Sequence, residues 1–191
     1  MILIINICKE ELHYLEFVKP IEDILNIAEE PFMTKHYLKL TKKDIESSHR
    51  IIITGTSLKD MSYSKDLSKF KFLLSYDKPV LAICGGMQAL CSIYGCKLVK
   101  GLEIGLKPIV FSAEFLGVNP GDDGSREVYT LHNFAIKDDD TFKKHFHIYA
   151  KTDCKGIDVV QAVKHKHLKH FGVLFHPEVR NKDMIKNFLG I

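Results

Sequence analysis

Residues 79–94 read Pro-Val-Leu-Ala-Ile-Cys-Gly-Gly-Met-Gln-Ala-Leu-Cys-Ser-Ile-Tyr. The run Val80 to Ile83 has the length and apolar content of a strand buried on both faces. Met87, Leu90, Cys91 and Tyr94 then recur at the spacing of one helix face. Between the two stand Ala82, Cys84 and Gly86, a thiol with a small residue two positions to either side. A nucleophile held on a sharp strand-to-helix turn needs that spacing, because the strained backbone tolerates no bulk beside it. The N-terminus of the following helix also favours a thiolate. A cysteine merely buried at a strand end fits the same residues, so the rest of the chain has to decide.

Toward the N-terminus the same alternation of strand and helix repeats. Ile2 to Ile7 reads as a buried strand, and Glu10 to Glu30 as a helical stretch that Pro20 kinks or divides. Phe32 to Leu40 is a second strand, and Thr41 with Asp44 carries helix-capping chemistry. Arg50 to Thr54 is a third buried strand ending at Gly55, and Leu67 to Tyr76 is helical by pattern. Strands this apolar, alternating with helices, predict an α/β fold with a mostly parallel central sheet flanked by helices. Beyond residue 96 the texture changes. Lys97 to Lys100, Ile109 to Phe111, Glu127 to His132 and His147 to Lys151 read as short strands. Ala113 to Arg126 is loop-like, with Gly117, Pro120, Gly121 and Gly124. Ile157 to Lys164 and His170 to Phe175 pair across a turn near Lys166, and Met184 to Leu189 forms a last helix.

The 191 residues suffice for one packed domain, 1–191, and no repeat or linker marks a second. A formal charge of +3, with Lys and Arg scattered, gives nucleic-acid binding little support. No apolar run approaches the roughly 20 residues of a membrane span, and the first residues lack a signal-peptide pattern. Five cysteines without a C-x-x-C pair argue against a disulfide framework, which points to a cytoplasmic protein. His165, His167 and His170 sit in a Lys-rich hairpin and Asp138 to Asp140 in a solvated turn, and neither cluster reads as a metal site.

The second informative stretch is Phe171 to Val179, Phe-Gly-Val-Leu-Phe-His-Pro-Glu-Val. Pro177 holds His176 extended, and residues two apart in an extended chain point to one side. Glu178 can therefore fix the orientation of the His176 ring while the other ring nitrogen meets a nucleophile.

Together, Cys-Gly-Gly-Met-Gln after a buried strand and Gly-Val-Leu-Phe-His-Pro-Glu near the C-terminus resemble the class I (triad-type) glutamine amidotransferases, over nearly the whole chain. The resemblance implies their flavodoxin-like fold and the hydrolysis of glutamine to glutamate and ammonia through a γ-glutamyl thioester. It implies Cys84 as nucleophile, His176 as general base and acid, and Glu178 as its orienter. It further implies Gln88 as a substrate-holding residue and the Gly85 N–H as an oxyanion donor. Gly55 and Thr56 stand where the family's Gly-Gly-Pro loop supplies the other donor, and Thr56 replaces the second glycine. Loss of one such donor costs about 10²–10³ in rate. His132 and Asn133 match the strand end near the glutamine site. Ala82 and Leu174 depart from the family's glycine and glutamine without touching the triad. No cofactor and no metal are implied.

With no residues left over for an acceptor domain, the expected role is a glutaminase subunit that passes ammonia to a separate synthetase. A γ-glutamyl hydrolase acting alone, and a non-catalytic relative with the same fold, are the alternatives.

Overall fold

The computed structural model describes residues 1–119, 125–154 and 156–191. Five strands form one half of a sheet: β1 (Ile2–Asn6), β2 (Phe32–His36), β3 (Arg50–Ile53), β4 (Val80–Ile83) and β9 (His170–Val173). They lie side by side in the order β2-β1-β3-β4-β9, every neighbour parallel. Alternate residues of these strands enter two separate cores. Ile2, Ile4, Ile52, Leu81 and Ile83 face one side, packed under Ile21, Leu25, Ile185 and Phe188. Leu3, Ile5, Ile51, Ile53 and Ala82 face the other, under Phe70, Met87 and Leu90. A strand buried on both faces has no polar side to display, which is why these runs are continuously apolar.

The expectation of a mostly parallel sheet is corrected here. The sheet continues from β9 through β8 (Ile157–His165), β7 (Phe146–Cys154), β5 (Leu98–Phe111) and β6 (Ser125–Ile136), and every one of these pairings is antiparallel. The sheet is mixed. Two residues separate β7 from β8 and four separate β8 from β9. So short a connection returns a strand antiparallel, whereas a parallel return needs a crossover of a dozen residues or more. β5 and β6 pair antiparallel across the longer connection 112–124. β8 and β9 pair across the turn near Lys166, with Val163 opposite Gly172.

Several boundaries also differ from the sequence reading. Leu98 to Lys100 and Ile109 to Phe111 belong to one strand, β5, because β6 pairs along most of its length despite Gly101, Gly105 and Pro108, and Lys97 lies just before it. Glu10 to Glu30 divides at Val18 into α1 (Tyr14–Phe17) and α2 (Lys19–Ile27), with Pro20 in the first turn of α2, where its missing N–H costs nothing. Thr41 and Asp44 form a capping box on α3 (Lys42–Ser47). Leu67–Leu74 is a 3-10 helix. Within Asp138 to Asp140, Asp139 caps α5 (Asp140–His145) by accepting the Phe142 N–H at 3.1 Å, and Asp138 pairs with Lys143 and Lys151. Pro120, Gly121 and Gly124 lie outside the described residues. α6 (Lys182–Leu189) closes the chain. Among the described residues no helix is long and apolar enough to cross a membrane.

Candidate active site

The parallel half of the sheet ends at Cys84. This residue joins β4 to α4 (Gly85–Ser92) at φ 49° and ψ −109°, a conformation L-residues avoid at a cost of about 1–3 kcal/mol. Its N–H donates to Val173 O at 2.7 Å, and its carbonyl accepts the Gln88 N–H at 3.0 Å. The turn is tight enough to need Gly86, which faces backbone, while Gly85 faces side chains. A Cβ on Gly86 would stand 2.7 Å from Ile53 O, and one on Gly85 would stand 2.8 Å from Ile7 Cδ1. The Cys84 thiol is buried and lies 3.6 Å from its acceptor, Leu131 O.

His176 follows the end of β9, and its N–H donates to Tyr129 O of β6 at 2.8 Å. Its Nδ1 lies 2.7 Å from Glu178 Oε1, and both residues are buried. The ring's Nε2 has no hydrogen-bond partner among the described residues, and the Cys84 sulfur acts on the ring electrostatically. Burial alone pushes the His176 pKa down. The Glu178 carboxylate and the Cys84 sulfur outweigh that, and the net position is well above the ordinary histidine value. Phe17 covers the ring at 5.4 Å between centroids. Gly55 touches both groups: a Cβ there would meet His176 Cε1 at 2.6 Å and Cys84 Cβ at 3.4 Å.

Thr56, Cys84, Gly85, Gln88, His132 and Asn133 share the wall of one narrow cavity of about 10 Å³, room for about one water. The remaining three expected residues, Gly55, His176 and Glu178, join it through the contacts just described. Within the wall the side chains are already engaged. Gln88 Nε2 donates to Phe134 O at 2.8 Å, and Asn133 Nδ2 donates to Leu58 O at 2.7 Å. The His132 ring lies between Gly101 O, 2.8 Å from Nδ1, and Glu103 Oε2, 3.2 Å from Nε2. Thr56 keeps a negative φ, and its hydroxyl donates to Asp60 Oδ2 at 2.7 Å. Its N–H makes no hydrogen bond among the described residues.

Tyr63 and Asp60 are among the further residues of the wall that the sequence did not single out. Tyr63 donates its hydroxyl to Gln88 Oε1 and lays its ring against Gly85; burial raises its pKa well above the usual value, so it stays a donor. Asp60 accepts from Lys9 N–H at 2.7 Å, from Thr56 and from Ser62. Burial opposes its charge, but these bonds win and its pKa is lowered. Asp60 lies in the loop after β3 and Tyr63 in the short 3-10 helix Ser62–Lys65, where neither periodicity nor a motif marks them. The cluster His165, His167 and His170 is engaged elsewhere: His165 Nδ1 accepts from the His167 and Leu168 N–H groups.

Residues 22–190 match the family described as glutamine amidotransferase class-I. Over 147 residues the chain is 33% identical to a glutamine-hydrolyzing GMP synthase subunit from Picrophilus torridus, covering 73% of this chain and 74% of that protein. It is 29% identical over 120 residues to anthranilate synthase component 2 from Leptospira biflexa, covering 59% of this chain and 58% of the relative. A crystal structure from Thermoplasma acidophilum, described as that of a candidate GMP synthase subunit, superimposes with a TM-score of 0.81 at 19% identity, covering 100% of this chain and 93% of that one.

Proposed function

The chain belongs to the class-I glutamine amidotransferases, and on that premise we propose that it hydrolyses glutamine to glutamate and ammonia, with Cys84 as nucleophile, His176 as base and acid, and Glu178 orienting His176. The reading treats residues 1–191 as one glutaminase domain, needing no cofactor. What supports it most is a buried thiol at positive φ beside a histidine whose far nitrogen is bound to a buried carboxylate at 2.7 Å.

The chemistry follows from those positions. A carboxamide is a poor electrophile, so the sulfur attacks as the anion, with its proton held on His176. The developing oxyanion is met by the N–H of Gly85, at the start of α4, and by the free N–H of Thr56. His176 then returns the proton to the departing nitrogen, and ammonia leaves a thioester on Cys84. Water, deprotonated by the same ring, attacks the thioester and restores the thiol with release of glutamate. Gln88, His132 and Asn133 line the substrate's space, and the wall has to part to admit a glutamine side chain.

The acceptor is read from the relatives. The Picrophilus protein's name supports a glutaminase subunit of GMP synthase, delivering ammonia to a separate synthetase. The Leptospira relative supports anthranilate synthesis as the second reading. Five free cysteines support a cytoplasmic setting. The test is ammonia release from glutamine by the purified chain, alone and with the synthetase subunit of GMP synthase from the same organism. Cys84→Ala is expected to lower turnover by about 10⁴-fold or more while the protein stays folded. Turnover that survives in Cys84→Ala would remove the thioester mechanism.

A further inference from the structure

The outward face of β5 is bare. Leu102, Ile104, Leu106 and Val110 are 57%, 54%, 51% and 59% exposed, alternating with buried Gly101, Glu103, Ile109 and Phe111. A single exposed leucine means little, but a row of four on one strand face is a contiguous apolar patch, and such patches mark interaction sites. β5 pairs with β7 only at Val110 and Phe111. Its inward face packs on the sheet, where Glu103 accepts from Thr152 of β7 and Gln161 of β8, and its outward face is the exposed one.

The row leads to the candidate active site. Ile104 lies opposite Leu131 of β6, and Leu106 opposite Tyr129; directly opposite residues share a face. The Leu131 carbonyl is the acceptor of the Cys84 thiol, and the Tyr129 carbonyl holds the His176 N–H. The ribbon's charge is one-sided. Glu103 is buried against His132, and Glu127 is paired with Arg180. Lys100, Lys107 and Arg126 form no ion pair among the described residues. The unneutralised charge on the ribbon is positive.

We infer that the outward face of the β5–β6 ribbon is where the ammonia-consuming synthetase subunit docks, its complement being an apolar ridge flanked by carboxylates. The inference rests on the glutaminase reading above. An apolar strip supplies the buried centre of such an interface, and the surrounding cations set orientation and association rate. Docking here places the partner against the strand whose carbonyls hold Cys84 and His176, so contact at the ribbon is felt at the site.

The test compares the wild-type chain with Ile104→Asp/Leu106→Asp for binding to the synthetase subunit of GMP synthase from the same organism. Ile104→Ser/Leu106→Ser is the milder second variant, and unfolding midpoints check that each variant is folded. The expected result is binding weakened at least tenfold in both variants, unchanged glutamine hydrolysis by the isolated chain, and wild-type binding that weakens with added salt. Equal binding by wild type and folded variants overturns the inference, as does no binding by the wild type. A wild-type homodimer that the substitutions dissolve also overturns it, by giving the face to a second copy. Should the complex form and the variants break it while no ammonia is released in any mixture, the docking face stands and the glutaminase reading falls.

Discussion

At the level of single residues, His176 is pulled in two directions. Its buried surroundings favour the neutral ring, and Glu178 and the Cys84 sulfur hold the proton on more strongly. In Glu178→Gln the opposing charge is gone and the burial remains, so His176 is expected to lose its proton at a lower pH, read by NMR titration of the ring nitrogens. The same shift has a stability sign. A folded-state pKa raised above the unfolded value, about 6.5, adds stability that is full below that pH and is lost as the pH rises through the raised value. The margin of wild type over Glu178→Gln in urea unfolding is therefore larger at pH 6 than in alkaline buffer. A margin that grows with pH would contradict this account. His176 and Glu178 were legible as a pair because they stand two positions apart around Pro177. The structure sets them in a turn, closed by the Val179 N–H on His176 O at 3.2 Å, rather than in the extended chain the sequence suggests. The partners of Gln88 were not, because Tyr63 lies 25 residues away in a short 3-10 helix, Ser62–Lys65, that no periodicity marks.

At the level of elements, the elbow depends on α4 lying close against β3. Gly86 allows this, since a Cβ there would stand 2.7 Å from Ile53 O, a backbone atom that cannot swing aside. Gly86→Ala should cost about 1–3 kcal/mol in urea unfolding, the usual range for overpacking. Ammonia release should fall with it, because α4 carries Gly85 and Gln88. A variant of wild-type stability would show that the helix has room to shift. The strands β1, β3 and β4 were readable from their apolar runs. By pattern β5 breaks in two, because Gly101, Gly105 and Pro108 interrupt it, and only the ladder to β6 carries the strand through.

For the molecule as a whole, one buried carboxylate ties the antiparallel half together. Glu103 of β5 meets His132 of β6 at 3.2 Å, Thr152 of β7 at 3.1 Å and Gln161 of β8 at 2.6 Å. Burial works against its charge, but His132 and Thr152 more than offset that and its pKa is lowered. Glu103→Leu leaves the Gln161 amide buried without its carboxylate acceptor and removes the acceptor of the Thr152 hydroxyl, and should cost about 1–3 kcal/mol in urea unfolding at pH 7. His132 is also part of the cavity wall, so ammonia release is expected to fall in the same variant. A loss below 1 kcal/mol, of the size seen for surface pairs, would mean that the strands are held by their ladders alone.

Local pattern alone determined the apolar strands of the parallel half, the elbow at Cys84, the His176–Glu178 pair and the capping box at Thr41. Each is written in residues adjacent or a few positions apart, whose spacing sets which way they face. The tertiary structure decided the direction of β5 to β8, the seating of Tyr63 and Asp60 in the cavity wall, and the joining of four strands at Glu103. Apolar alternation specifies that a strand is buried but carries no sign of its direction or its neighbour. A lone polar residue in a strand looks the same whether it meets water or a partner 58 positions away, as Glu103 and Gln161 do.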